Sequence, residues 1–398
     1  MARKLPKGWK RIALGDVCEV NPRADALNGV DRISFVAMAD TSESGQLMSQ
    51  AVMPVTKKAL AGYTRFRRGD ILCAKITPCF ENGKGALTDS LEMPHGIGST
   101  EFHVIRASDR ILPEIAHAVV QSTEFRRRGE LWMTGSAGQK RVPADYIAEY
   151  EMELPPLDEQ RRIVRVVDAA DRLGELQKHL LLEKNQVLDG LREHLLRKPR
   201  KARQVRLEKL TVESVSRNRH ALERNSIMAV TKEAGLRPMR AETIAADISR
   251  YKMVGPDAFA YNPMRLNIGS IARSGFDDDV LVSPDYVVFE CDKQRLLPAY
   301  LDHLRRTKRW ESFFARAGDG GVRVRIYYDD LARFVVELPT VDEQKRVVQA
   351  LDAMQREVEL LKQICVAAEK LKSGLMQQLL TGQQRLTRDL PGMESSHV

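Results

Sequence analysis

The sequence predicts an α/β (α+β) protein of two globular domains related by an internal pseudo-two-fold repeat and separated by two long antiparallel helices that form a coiled coil. Three observations predict it. The segment LPPLDEQRRIVRVVDAADRL from Leu154 returns as LPTVDEQKRVVQALDAMQREV from Leu338, at an offset of 184 residues. Each copy opens a stretch of about forty residues with apolar side chains three and four apart, the period of a helix face. Short β-like runs lie between glycine-rich turns upstream of both. A period of this size is too long for a solenoid and indicates a duplicated domain.

In chain order, the first domain spans 1–157. Asp70–Ala74 and Glu101–Ile105 read as strands there, and Pro113–Arg128 as a helix. From Asp158, taken as an N-cap, one helix runs to Arg197 with Ile163, Val166, Val167, Ala170, Leu173, Leu176, Leu180, Val187, Leu191 and Leu195 as its stripe. At 1.5 Å per residue it spans roughly 60 Å. Lys198-Pro199 ends it, and a basic linker closes the segment 158–200. The second domain, 201–341, repeats the order with Asp285–Phe289 as strand and Pro298–Arg316 as helix. The segment 342–398 holds the second long helix, with Val347, Ala350, Leu351, Met354, Leu361, Ile364, Ala368, Leu371, Leu375 and Leu379 on its stripe, and a C-terminal tail after Gly382. Gln177 and Lys184 occupy seam positions where the second copy has Leu361 and Ala368, so polar groups in one helix are expected to set the register.

Composition narrows the class. A chain of 398 residues with 43% hydrophobic residues can bury a core in each domain. It has no apolar run of membrane-spanning length and no signal-peptide pattern at its start, so a cytoplasmic address is expected. The five cysteines are scattered, without C-x-x-C or zinc spacing, and are expected to be buried free thiols. A net charge of +9 is compatible with nucleic-acid contact.

Catalytic motifs fail on inspection. Gly83-Lys84-Gly85 lacks the upstream glycine and following hydroxyl residue of a P-loop. Asp285 with Glu290 and Lys293 has nuclease-like residue types at the wrong spacing. Tyr261-Asn262-Pro263-Met264 lacks the second proline and the aromatic residue of an adenine-gripping loop. The eight histidines form no metal motif.

The repeated L-P-x-x-D-E-Q-x-R at Leu154 and Leu338 resembles the conserved regions of the specificity subunit of type I restriction-modification systems. FRRGDILCAKITPCFENGKGAL from Phe66 and GIGSTEFHVI from Gly96 resemble one type of target-recognition domain in that family; YNPMRLNIGSIARSG from Tyr261 and VSPDYVVF from Val282 resemble another. The resemblance runs from about Leu5 to Leu386. It departs at Thr340, which stands where the first copy has Pro156. It implies a non-catalytic chain in which each domain reads one half of a bipartite, asymmetric double-stranded DNA target while the helices fix the spacing. Two N6-adenine methyltransferase subunits and ATP-driven translocase/endonuclease subunits are the implied partners. S-adenosylmethionine, ATP and Mg would belong to those partners, with no cofactor in this chain. The alternatives are a specificity subunit of a related two-subunit cutting and methylating system, or a compact nuclease with its own carboxylates.

DNA reading requires polar and basic tips at base edges and phosphates. The candidates are Arg65, Arg67, Lys75, Lys84, Gln139, Lys140 and Arg141 in the first domain, and Arg250, Lys252, Arg265, Arg273, Arg323 and Arg325 in the second. Gln139 and Arg141 map on Arg323 and Arg325 at the repeat offset, each pair following a glycine-rich turn. Clusters at Arg126–Arg128 and Arg305-Arg306 rank below these, and the acids of the two D-E-Q motifs are expected to cap helices rather than meet DNA.

Overall fold

The computed structural model describes residues 5–27, 29–56, 62–136, 138–197, 199, 202–232, 235–316, 325–386 and 388. Two compact units are present: Met1–Leu176 with Cys365–Val398, and Gln177–Ile364. Each therefore includes part of both long helices, whereas the sequence reading treated the helices as segments apart from the globular domains.

In the first unit, strands β1 (Lys10–Ala13), β2 (Cys18–Val20), β3 (Arg32–Val36), β4 (Ala51–Pro54), β5 (Thr64–Arg67), β6 (Ile71–Ala74), β7 (Gly85–Leu87), β8 (His95–Gly98) and β9 (Phe102–Ala107) come first. Helices α1 (Pro113–Gln121), α2 (Thr123–Trp132) and α3 (Ala144–Glu149) follow, then β10 (Glu151–Leu154) and α4 (Leu157–Arg197). The central sheet has the order β2-β9-β6-β7, and β1 pairs with β10. Strand alternation divides its side chains between two cores. Ile71 and Ile105 face Ile115, Val119, Phe125 and Tyr146 of the helices. Leu72, Phe102 and Val104 pack with Val36 and Phe66 of the other sheet, β4-β3-β8-β5.

The second unit holds β11 (Arg203–Arg206), β12 (Thr211–Ser214), β13 (Met228–Thr231), β14 (Gly235–Pro238), β15 (Lys252–Val254), β16 (Phe259–Tyr261), β17 (Ile271–Arg273), β18 (Val280–Val282) and β19 (Val287–Cys291). Helices α5 (Pro298–Leu304), α6 (Lys308–Arg316) and α7 (Tyr328–Ala332) precede β20 (Val335–Leu338), and α8 (Val341–Leu380) follows it. The central sheet, β12-β19-β16-β17, and the pair β11-β20 reproduce the first unit's frame. The flanking structure does not. Where the first unit has a four-stranded second sheet, the second has the separate pairs β13-β14 and β15-β18.

Both predicted helices after the central sheet are broken in two. Ser122 is extended (φ −67°, ψ 144°), and its hydroxyl accepts the Phe125 N–H to start α2. Thr307 does the same work between α5 and α6: its Oγ1 donates to the Leu304 carbonyl at 2.7 Å and accepts the Trp310 N–H at 3.5 Å. A short hydroxyl side chain that captures a backbone amide favours a new start over a continued helix.

The D-E-Q motifs lock each long helix to its own sheet unit. Gln160 is fully buried; its Oε1 accepts the Leu112 N–H at 2.8 Å, and its Nε2 donates to the Arg110 and Pro155 carbonyls at 3.2 and 2.9 Å. Gln344 makes the same three bonds, to Leu297, Arg295 and Pro339, at 2.9, 2.8 and 3.1 Å. The acids are not N-caps. The helices begin at Leu157 and Val341, one residue before Asp158 and Asp342. Asp158 pairs with Arg161 in the first turn, and Glu159 is buried, accepting from Trp9 Nε1 at 3.0 Å and from Arg385 Nη2 at 2.6 Å. At the second start Thr340 Oγ1 accepts the Glu343 N–H at 3.4 Å, so a hydroxyl cap replaces Pro156.

The long helices follow strict seven-residue repeats. In α8 the inward positions include Leu351, Val358, Cys365, Lys372 and Leu379, alternating with Met354, Leu361, Ala368 and Leu375. In α4 they include Val167, Gly174, Leu181, Leu188 and Leu195. Within the first unit Lys372 bonds Asp171; within the second Lys184 bonds Glu357 at 3.0 Å, the antiparallel sense expected. The expected stripes are partly displaced, however. Leu173, Leu176, Leu180 and Val187 of α4 are exposed, as are Ile364 and Leu371 of α8.

All five cysteines are free thiols; Cys18 and Cys73 are buried as expected, while Cys79, Cys291 and Cys365 are half-buried. Burial pushes the Cys18, Cys73 and Cys291 thiols up to about 12. No helix among the described residues is long and apolar enough to cross a membrane.

Candidate nucleic-acid interface

One end of the first unit's central sheet gathers five of the seven candidates. The register Ala74↔Phe102 and Cys73↔Gly85 brings the last residue of β6 beside the starts of β9 and β7. The backbone then continues the pairing: Lys75 N–H donates to the Glu101 carbonyl, Ala74 N–H to the Lys84 carbonyl, and Val142 N–H to the Lys75 carbonyl, each at 2.9 Å. Lys140 joins through its carbonyl, which accepts the Thr77 N–H at 2.9 Å. Thr134 and Arg141 exchange both backbone bonds, at 3.0 and 2.9 Å, and close a hairpin. Its turn requires glycine. Gly135 and Gly138 have φ of +120° and +83°, a region that strains other residues, and a Cβ at Gly135 would lie 2.9 Å from the Gln139 carbonyl.

Gln139 and Lys140 are exposed, and Lys75 and Lys84 half-buried. Lys84 Nζ donates to the Met38 carbonyl at 3.3 Å. Arg141 is held more firmly: its Nε and Nη2 donate to Glu101 at 2.9 and 2.7 Å, and Nη1 donates to the Gln139 carbonyl at 3.2 Å. The bond from Arg141 holds the Glu101 carboxyl below its ordinary range despite partial burial. Sequence reading missed Glu101 as a partner, although the repeat offset that selected Arg141 also aligns Glu101 with Asp285.

Arg65 and Arg67 lie elsewhere. Arg67 pairs with Asp25 at 3.9 Å, and Asp25 also pairs with Arg106, near the far end of β9. Arg65, half-buried, lines a small recess with Asp25, His95 and Arg106. The structure thus separates these two arginines from the Arg141 end.

The second unit presents the equivalent sheet end with different residues. Ile326 N–H donates to the Pro263 carbonyl at 3.0 Å, as Val142 does to Lys75. Arg265 and Arg325 are exposed there, and Arg325 Nη1 donates to the Tyr327 hydroxyl at 3.3 Å. Arg323, with the glycine turn 318–321, lies outside the described residues. Three candidates are placed differently. Arg273 is opposite Phe259 at the other end of β16 and pairs with Asp257 at 3.6 Å. Arg250 is exposed before β15. Lys252 is only 9% exposed, sits 3.9 Å from Glu213, and burial lowers its pKa. Its ammonium is directed at the protein, a placement that residue type alone could not reveal.

The lower-ranked arginine clusters are also committed internally. Arg127 and Arg128 pair with Glu124, and Arg305 and Arg306 with Asp302. Asp285 precedes β19, and Glu290 lies near the strand's far end, opposite Val212. Among the described residues no group of three His, Cys, Asp or Glu side chains is arranged to hold a metal.

The class this fold defines is a duplicated α/β protein with polar loop ends built on a repeated sheet and long paired helices. Residues 6–184 match the family described as the type I restriction modification DNA specificity domain. Over 162 residues the chain is 41% identical to the type I restriction enzyme EcoAI specificity subunit and 38% identical to that of EcoEI, both from Escherichia coli. These alignments cover 40% of this chain but only 28% and 27% of those relatives. Solved structures extend the likeness of fold across the chain. A chain from a study of complex assembly and conformational transition in the type I R-M system has TM-score 0.63 at 19% identity, covering 96% of this chain and all of that one. The HsdS subunit from Thermoanaerobacter tengcongensis has TM-score 0.52 at 21% identity, covering 96% and 99%. Residues 6–184 are thus a domain of the type I restriction modification DNA specificity family.

Proposed function

We propose that this protein is the DNA sequence-recognition subunit of a type I restriction-modification complex, each unit reading one half of a bipartite, asymmetric target. One observation carries the reading: the sheet orders β2-β9-β6-β7 and β12-β19-β16-β17 repeat, while the flanking sheets and the polar tips at the sheet ends differ. A common frame with unlike tips suits two readers of unlike sequences. The long helices set the spacing between half-sites, and their exposed leucines supply apolar surface for two methyltransferase subunits. Translocase/endonuclease subunits complete the assembly in the cytoplasm. Adenine methylation and cleavage reside in those partners, which bind S-adenosylmethionine, ATP and Mg.

The test is a genome-wide map of N6-methyladenine in cells with and without this chain. The expected result is loss of one bipartite, asymmetric motif. An unchanged methylation map in cells whose methyltransferase subunit is active would overturn the reading. The nuclease alternative has less support because Asp285, ahead of β19, and Glu290, near its far end, are held apart.

A further inference from the structure

We propose that Glu101 is a positioning residue that presents Arg141 as the reader of a guanine in the half-site of the first unit. The inference rests on the DNA-recognition reading and adds to it a residue pair and a base.

The argument starts from the free edges of one guanidinium. Arg141 spends its Nε/Nη2 edge on the two oxygens of Glu101, at 2.9 and 2.7 Å, and one Nη1 hydrogen on the Gln139 carbonyl at 3.2 Å. Of its five N–H groups two remain, one on each of Nη1 and Nη2, in the guanidinium plane. Guanine is the base whose major-groove edge offers two adjacent acceptors, O6 and N7, to such a fork. The carboxylate fixes the plane of the fork before DNA arrives, which reduces the ordering cost of binding. Arg141 nevertheless stays accessible, with 42% of its side chain exposed against 26% for Glu101.

The same geometry argues against a phosphate contact. An arginine already neutralised by a carboxylate brings no net charge to the backbone and would place Glu101 near a phosphate, where it repels. Exposed Lys140 nearby meets no such objection.

The duplication supplies a second observation. Glu101 and Arg141 align with Asp285 and Arg325 at one offset, and the Asp285 charge acts on Arg325, which also donates to the Tyr327 hydroxyl. The acid and arginine residue types recur at the same sheet end in both units, with the acid one methylene shorter in the second and Tyr327 as the bonded partner of Arg325.

The experiment is selection from a library of randomised DNA duplexes by the full chain and by Arg141→Ala, Arg141→Lys, Glu101→Gln and Glu101→Ala variants, each checked for folding by circular dichroism. The expected wild-type motif contains a guanine whose preference falls roughly tenfold or more in both Arg141 variants. The other half-site should be unchanged, and the slope of log affinity against log salt should change by less than about one counterion. Glu101→Gln should reduce the guanine preference while leaving or raising affinity for unrelated duplexes, a split that a purely structural role would not produce. A wild-type motif retained in full by Arg141→Ala overturns the proposal alone. So does a uniform loss over both half-sites, or a reduced salt slope with unchanged base preference. A wild-type chain that selects no sequence overturns the DNA-recognition reading and this proposal together.

Discussion

Two fully buried glutamines fix where the long helices leave their sheets. Replacing Gln160 with alanine leaves the Leu112 amide and the Arg110 and Pro155 carbonyls without their partner. The expected cost is about 2–3 kcal/mol, and Gln344→Ala should cost the same in the second unit. Urea unfolding followed by tryptophan fluorescence can separate them, because Trp9 and Trp132 report the first unit and Trp310 the second; an unshifted midpoint would mean that water replaces the side chain. A second residue-scale prediction concerns acid. Burial lowers the His117 pKa from 6.5 to about 4. The folded state therefore holds the ring neutral while the unfolded chain takes up a proton below 6.5. Stability from this group is complete above pH 6.5 and is lost as the pH falls toward about 4. His117→Gln should flatten the pH dependence of the first unit's unfolding across that window, and an unaltered slope would assign it to other groups.

At the scale of elements, Lys372 occupies an otherwise apolar series with Leu351, Val358, Cys365 and Leu379 and bonds Asp171. Lys372→Leu alone strands Asp171 against an apolar side chain and should cost about 1 kcal/mol. Asp171→Leu with Lys372→Leu should recover that loss or exceed it, because an apolar layer requires no desolvation of charge. Thermal melts of the four chains of this cycle test the coupling, and additive single effects would refute it. These helices also show what the sequence could and could not reveal. Their number, length, starting motif and antiparallel sense were legible from the repeat and the three-and-four spacing. The facing side chains were less so. At Leu180-Leu181-Leu182 three leucines follow one another, and at Val187-Leu188 two apolar residues compete; periodicity alone selected the exposed Leu180 and Val187, whereas Leu181 and Leu188 face inward. The candidate site was legible to a similar depth. Offset and residue type found the Arg141 loop, but charge pairing is a tertiary property, so the burial of Lys252 and the Asp25 pairing of Arg67 were not visible.

At the scale of the molecule, duplication separates what must be the same from what can differ. The frame must be the same because it carries the buried cores: Ile71 and Ile105 against the helices in one unit, Phe259 and Phe289 in the other. The opposite face of each central sheet supports the part that differs. There Leu72 and Val104 meet a four-stranded sheet, while Ala260 and Val288 meet Val230, Val254 and Val282 from two strand pairs. Between the strands that begin and nearly end the frame, β2 and β9 or β12 and β19, the inserted chain brings its own partner sheet. Moving the whole insertion keeps the facing surfaces of the two sheets together and sets Ile71 where Phe259 stood in the frame, whereas moving single strands leaves large residues against small ones between the sheets. Residues 21–101 placed between β12 and β19 in exchange for 215–286 should therefore yield a folded chain that carries the first unit's insertion twice. Selected from randomised duplexes, its second half-site should take on the preferences of the first at every base except the guanine assigned to Arg141, whose hairpin lies outside the exchanged segment. A chimera that folds yet still selects the original asymmetric target would show that specificity lies outside the insertions, in the helices or the hairpin around Gly135–Gly138.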